Sequence, residues 1–169
     1  MTVVNWPEFE AKFGAGMQVA FERMAYLIFC KMHKEPYGLF RYRNHPATET
    51  VSVSFEGKVV GFQAKYWRSD LGCRLDDFKE AIDKVRKHDT RTNELVFFLP
   101  SDFNCNSQEK DDGLKTKTQR LVEQYAQSRG LALKWFCDSN FEVTFADEEY
   151  DSWGRHFFSR EREGFDSTF

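Results

Sequence analysis

The sequence predicts an α/β fold with a mixed β-sheet flanked by helices. Three observations carry that expectation. Residues 49–67 alternate apolar and polar side chains on either side of an acidic-glycine turn, as a hairpin does. Glu94-Leu95-Val96-Phe97-Phe98-Leu99 is a continuous apolar run, the pattern of a strand covered on both faces. Around these strands, apolar residues recur at helical spacing in segments too long for strands.

Composition narrows the class. The chain has 169 residues, a length that suits one domain with a proper core. Apolar residues make up 41%, charged residues 30% and aromatics 17%, which is a globular mixture unusually rich in phenylalanine. No run approaches a membrane span, and the first residues lack the basic and apolar regions of a signal peptide, so the expected location is the cytoplasm. Cys30, Cys73, Cys105 and Cys137 form no Cys-x-x-Cys pair, which argues against structural zinc and fits reduced thiols. The net charge of -3 argues against a protein that grips DNA by bulk positive charge. Any phosphate contacts are then local, or a partner domain supplies the grip.

The elements follow in order. Residues 5–13 read as a short helix capped by Asn5, with Pro7 in its first turn. Residues 17–34 form a longer helix, because Phe21, Met24, Ala25, Ile28 and Met32 fall on one stripe. Glu22 lies on the flank of that stripe. Taken locally, it is equally an exposed acid paired with Arg23 or Tyr26. Pro36 and Gly38 end the helix. Residues 39–43 alternate as a strand, with Arg41 and Arg43 on one face. A further strand over 48–54 carries Glu49.

The hairpin register decides what Glu49 faces. A two-residue turn at Glu56-Gly57 pairs Phe55 with Lys58 and sets Glu49 opposite Ala64, on the wrong face for a shared site with Gln63. A three-residue loop, Phe55-Glu56-Gly57, pairs Ser54 with Lys58 and sets Glu49 opposite Gln63. Type I′ turns want Asn or Asp before the glycine, so the three-residue loop is expected. In the strand that follows, Val60, Phe62, Ala64 and Tyr66 share an apolar face, and Gly61, Gln63 and Lys65 share the other. Gln63 and Lys65 then point the same way, roughly 7 Å apart. An amide and an ammonium on an inner strand need a purpose, because burying them unpaired is costly.

Residues 68–72 form a loop. Asp76 and Asp77 lead into a helix through His88 whose basic end suits the helix dipole. The buried strand at 94–99 follows, then a polar segment. A helix over 114–130 presents Leu121, Val122, Tyr125 and Ala126 and is capped by Gly130. A short strand spans 131–136. Residues 142–145 are ambiguous between helix and strand, and a last helix covers about 148–160.

Helix acid Glu22, strand acid Glu49, then Gln63-Ala64-Lys65 is an order that resembles the PD-(D/E)xK nuclease superfamily. Gly61-Phe62-Gln63-Ala64-Lys65-Tyr66-Trp67 is its most specific piece. It resembles the Mrr-type restriction endonucleases and the N-terminal nuclease domains of bacterial anti-phage NTPases, in a Gln-x-Lys variant. The resemblance covers about residues 19–135. It implies a restriction-endonuclease-like sandwich, one domain over residues 1–169 with its core at about 17–145. Residues 146–169 would be a C-terminal helix and tail, in a form suited to lead into a further domain.

The resemblance implies a Mg²⁺-dependent DNA endonuclease, with Mn²⁺ as substitute, that hydrolyses double-stranded DNA as an anti-phage defence effector. Further domains or homo-oligomers would serve its activation. Glu49 would be the direct carboxylate ligand, with the Gln63 amide oxygen and the Ala64 carbonyl beside it. Lys65 would sit by the attacking water and the developing phosphorane charge. Glu22 would face the metal site from its helix. Arg41, Arg43, Lys58 and Arg68 are the candidate phosphate contacts. The alternatives are a catalytically degenerate nuclease fold that binds nucleic acid or protein, and an unrelated α/β interaction module whose polar strand face is merely solvated.

Overall fold

The apolar run at 94–99 becomes β3 (Glu94–Phe98), buried at every position. A strand can be buried throughout only if it has neighbours on both edges and helices on both faces. The structure, a computed structural model, describes residues 2–39, 52–104 and 115–159. Within these, β1 (Val53–Phe55), β2 (Lys58–Ala64), β3 and β4 (Ala132–Phe136) form one mixed sheet in that order. β1 runs antiparallel to β2, while β2, β3 and β4 are parallel. Parallel neighbours need crossovers, and helices α3 (Leu75–His88) and α4 (Lys117–Ser128) supply them.

Each face of the sheet has its own apolar layer. α3 and α4 cover one face, where Phe78, Ile82, Val122 and Ala126 meet Leu95 and Phe97. α1 (Trp6–Phe13), α2 (Met17–Met32), α5 (Asp138–Ala146) and α6 (Asp151–Phe158) build the other layer over Val60, Phe62, Ala64, Val96 and Phe98. Much of the second layer is aromatic. Trp6 stands edge-on to Phe9, Phe21, Tyr66, Phe141 and Phe158, the arrangement that ring quadrupoles favour. Trp6 Nε1 donates to Asp138 at 2.7 Å, so its one polar atom is satisfied.

The start of α1 agrees with the expectation: the Asn5 side chain accepts from the Glu8 N–H, and Gly130 beyond α4 takes a left-handed φ of 74°. Two expectations need correction. The hairpin turn has two residues, not three: Phe55 pairs with Lys58. Glu56 and Gly57 both have positive φ, 49° and 78°, which defines a type I′ turn. The twist of the paired strands selects this turn, and its demand overrides the poor fit of glutamate to the left-handed region. Second, β2 stops at Ala64, and Lys65, Tyr66 and Trp67 leave the ladder after one last bond from Lys65 N–H to Phe98 O. The stretch at 142–145, left open by its sequence, is helical, inside α5. The last helix starts at Asp151, after a single 3₁₀ turn at Glu148–Tyr150. The expected strand at 39–43 falls on residues 40–43, outside the described residues, with Leu39 in no strand.

The turn makes a stability prediction. Glu56→Asn should stabilise the protein by about 0.5–1 kcal/mol, because asparagine tolerates the left-handed conformation better. A chemical-denaturation midpoint that stays put would show that Glu56 carries no strain. Among the described residues, no helix is long and apolar enough to cross a membrane.

Candidate functional site

Gln63 sits on an inner strand, between β1 and β3, and is only 4% exposed. It lies opposite Phe97 of β3. Lys65, half-buried, follows just past the strand end. The side-chain alternation expected from the sequence holds: Phe62 and Ala64 enter the layer under α2, whereas Gln63 and Lys65 face α3. There they open on a cleft of about 160 Å³, lined also by Trp67, Asp77, Glu80, Ala81 and Lys84.

The cleft is polar and of mixed charge. Glu80 is paired with Lys84 at 2.9 Å and Asp77 with Arg74 at 3.1 Å. The Arg74 guanidinium also lies over the Trp67 ring, 4.8 Å from its centre. On sequence alone Asp77 is a helix-starting acid and the basic residues belong to the helix end, and neither pattern shows that Asp77 and Lys84 line the cleft with Gln63. The available signal was spacing: Asp77, Glu80 and Lys84 fall on one side of α3, next to buried Phe78 and Ala81.

Glu22 reaches the strand from the other face. α2 packs beside β2 as expected, but on the layer of Phe62 and Ala64, so Glu22 does not share the face of Gln63 and Lys65. Its half-buried carboxylate accepts from Gln18 Nε2 at 2.8 Å. The same amide nitrogen donates to the Ala64 carbonyl at 3.0 Å, and Gln18 Oε1 accepts from the Tyr66 N–H at 2.8 Å. Nearby, Glu10 of α1 accepts from the Tyr66 hydroxyl at 2.9 Å and from Arg68 at 3.2 Å. Burial and then the Glu10 carboxylate push the Tyr66 phenol well above its usual range.

The other expected residues divide. Glu49, Arg41 and Arg43 lie outside the described residues. The hairpin nevertheless has the register that the sequence reading tied to Glu49 opposite Ala64, not opposite Gln63. Arg68 is near the strand end but is paired with Glu10. Lys58 is at the far end of β2, seven residues from Lys65 and roughly 20 Å away by strand rise. It does not belong to the cleft. Lys58 and Lys134 both pair with Glu94, each at 3.1 Å, in a bridge across β2, β3 and β4.

That bridge has a pH signature. Burial on its own raises the Glu94 carboxyl, which is 3% exposed, but the hydrogen-bonded Lys58 and Lys134 outweigh it and hold it below its ordinary value. A depressed carboxyl stabilises the fold above its unfolded pKa, and that contribution is lost as pH falls through the folded value. Glu94→Gln should therefore cost about 1–2 kcal/mol at pH 7. The gap to wild type should shrink below about pH 4.5. Urea melts at both pH values check this, and a gap that widens in acid would refute it.

Compared with known proteins, the chain matches no family model and no curated protein. The candidate site therefore stands on its own geometry. As cation donors, the described residues are of the right type: the Gln63 amide and the Ala64 carbonyl are oxygens, suited to a hard divalent ion. The Ala64 carbonyl has a second lone pair beyond the one given to Gln18. Among the described residues, no group of three or more His, Cys, Asp or Glu side chains is placed to hold a metal ion. A carboxylate is still required; Glu49, the residue expected to bring it, lies outside the described residues, and the hairpin register is the one that turns it away from Gln63.

Proposed function

We propose that this chain is a metal-dependent DNA endonuclease domain of the PD-(D/E)xK kind, in a Gln-x-Lys variant with a restriction-endonuclease-like fold. The observation that carries the reading is the placement of Gln63 and Lys65. A nearly inaccessible amide and an ammonium two residues on stand at the C-terminal end of an inner strand, over a polar cleft. The element order supports it: a helix, a hairpin ending in Gln-x-Lys, a crossover helix and a parallel strand.

The chemistry is phosphodiester hydrolysis. A water oxygen bonds to phosphorus and releases a proton to solvent, the bond from phosphorus to the leaving sugar oxygen breaks, and that oxygen takes up a proton in return. Lys65 would orient the water and stabilise negative charge that grows on the phosphoryl oxygens. Gln63 and the Ala64 carbonyl would offer oxygens to Mg²⁺ or Mn²⁺, with a carboxylate still needed beside them. When bound, the cation supplies Lewis-acid polarisation of the phosphoryl group. Arg41, Arg43 and Arg68 are the proposed phosphate contacts with double-stranded DNA. Anti-phage defence, with further domains or a second copy controlling activity, is the biological setting that the sequence resemblance suggests.

Incubation of the protein with supercoiled plasmid tests the reading. Mg²⁺ or Mn²⁺ should give nicked and linear products, and EDTA should stop the reaction. DNA retained without cutting would favour a binding module on the same fold. Neither binding nor cutting would remove both readings.

A further inference from the structure

The proposed chemistry leaves Gln18 without a task, and we infer that Gln18 is a positioning residue that clamps the backbone on both sides of Lys65. Its catalytic consequence rests on the nuclease reading; the clamp itself does not. In an extended segment, the carbonyl of one residue and the N–H two residues on point to the same strand edge. Around Lys65 these groups belong to Ala64 and Tyr66. The Gln18 amide meets both, donating at 3.0 Å and accepting at 2.8 Å, as a neighbouring strand would. On the other edge, the Lys65 N–H is taken by the Phe98 carbonyl at 3.0 Å. The peptide groups that set the Lys65 side-chain direction are thus held from both sides, just where β2 has ended and ladder pairing no longer holds them.

The amide must be oriented for this to work. Turned over, Gln18 would set its amino group against the Tyr66 N–H and its oxygen against the Ala64 carbonyl. Glu22 prevents that. One helical turn along α2, its carboxylate accepts from the same Gln18 nitrogen at 2.8 Å, so the nitrogen stays on the side of Glu22 and Ala64. Glu22 therefore acts through Gln18 on the strand end, and Gln18 acts through the backbone on Lys65. A catalytic group displaced by about 1 Å can cost on the order of 100-fold in rate, so loss of the clamp should appear in turnover, not in DNA affinity.

The test uses the full chain, with plasmid cleavage resolved into kcat and KM and hydrogen exchange at the Tyr66 amide. Gln18→Ala should lower kcat about 10- to 100-fold with KM nearly unchanged, and should expose the Tyr66 amide to exchange. Glu22→Ala should shift both readouts in the same direction by less. Glu22→Gln, whose amide oxygen can still accept from Gln18, should restore them. Wild-type Tyr66 protection in Gln18→Ala, or an effect carried wholly by KM, overturns the clamp. If Gln18→Ala does not fold, the Glu22 pair decides: loss in the alanine variant reversed by glutamine supports the clamp, and no reversal overturns it. Should the wild-type protein fail to cut DNA, the nuclease reading falls alone, because Tyr66 exchange still upholds or overturns the clamp.

Discussion

Lys65→Ala should lower plasmid cleavage by about 100- to 1,000-fold, the usual cost of removing one preorganised group that stabilises transition-state charge. The same variant should bind Mg²⁺ or Mn²⁺ as wild type does, since a protonated amine ligates no metal. It should also melt within about 0.5 kcal/mol of wild type, because the side chain is only half-buried at the lip of a polar cleft. Cleavage assays with calorimetric metal titration separate these effects. An active Lys65→Ala protein would withdraw the proposed role, as would one that had lost its metal affinity. Lys84 is the other ammonium lining the cleft, but its ion pair with Glu80 leaves it less able to take over.

Phe62→Ala is the largest expected loss of stability. Phe62 is inaccessible, one residue before Gln63, with its ring 4.7 Å from Phe29 of α2 and 5.5 Å from Phe98 of β3. Truncation removes the side chain that fills the space between α2 and the sheet. Large-to-small changes of this kind cost about 3–5 kcal/mol through lost transfer energy plus the cavity left behind. For a chain of this size that lowers the thermal midpoint by about 10 °C. A shift of only a degree or two would mean that α2 is not seated on β2 as described.

Several elements were legible because their patterns have one physical solution. β3 offers no polar face, so it had to be a strand with neighbours and a helix layer on each side. α2 and α3 carry stripes at helical spacing, and Gln63 and Lys65 alternate with Phe62 and Ala64 in a way only a strand produces. The turn was misread because local preference disfavours a left-handed glutamate, while strand twist, a property of two chain segments together, demands one. α5 was obscure because Phe141 and Phe145 are its only fully buried anchors, and β-branched Val143 and Thr144 lie between them. Which helix covers which face is a matter of connection, not composition. That is why Glu22 was expected beside Lys65 and instead meets it through Gln18. Asp77 reads as an ordinary helix-start charge, and nothing local tells a helix that its acids and bases will face a particular strand.

The meeting of α1 and α6 bears on how the chain is made. Trp6 and Phe9 pack against Phe158, Phe13 against Phe157, and Lys12 donates to the His156 carbonyl. Among the described residues, one aromatic layer is therefore closed by the first helix and the last. On a ribosome, β2, α3, β3, α4 and β4 emerge as consecutive neighbours and can begin to assemble while synthesis continues. The rings of α1 can meet Phe21 and Tyr66 early, but their contacts with Phe157 and Phe158 must wait until α6 has left the exit tunnel. During that interval the sides of Phe9 and Phe13 that face α6 in the folded protein are uncovered, whereas the strand end that carries Lys65 already has its partners in α2 and β3.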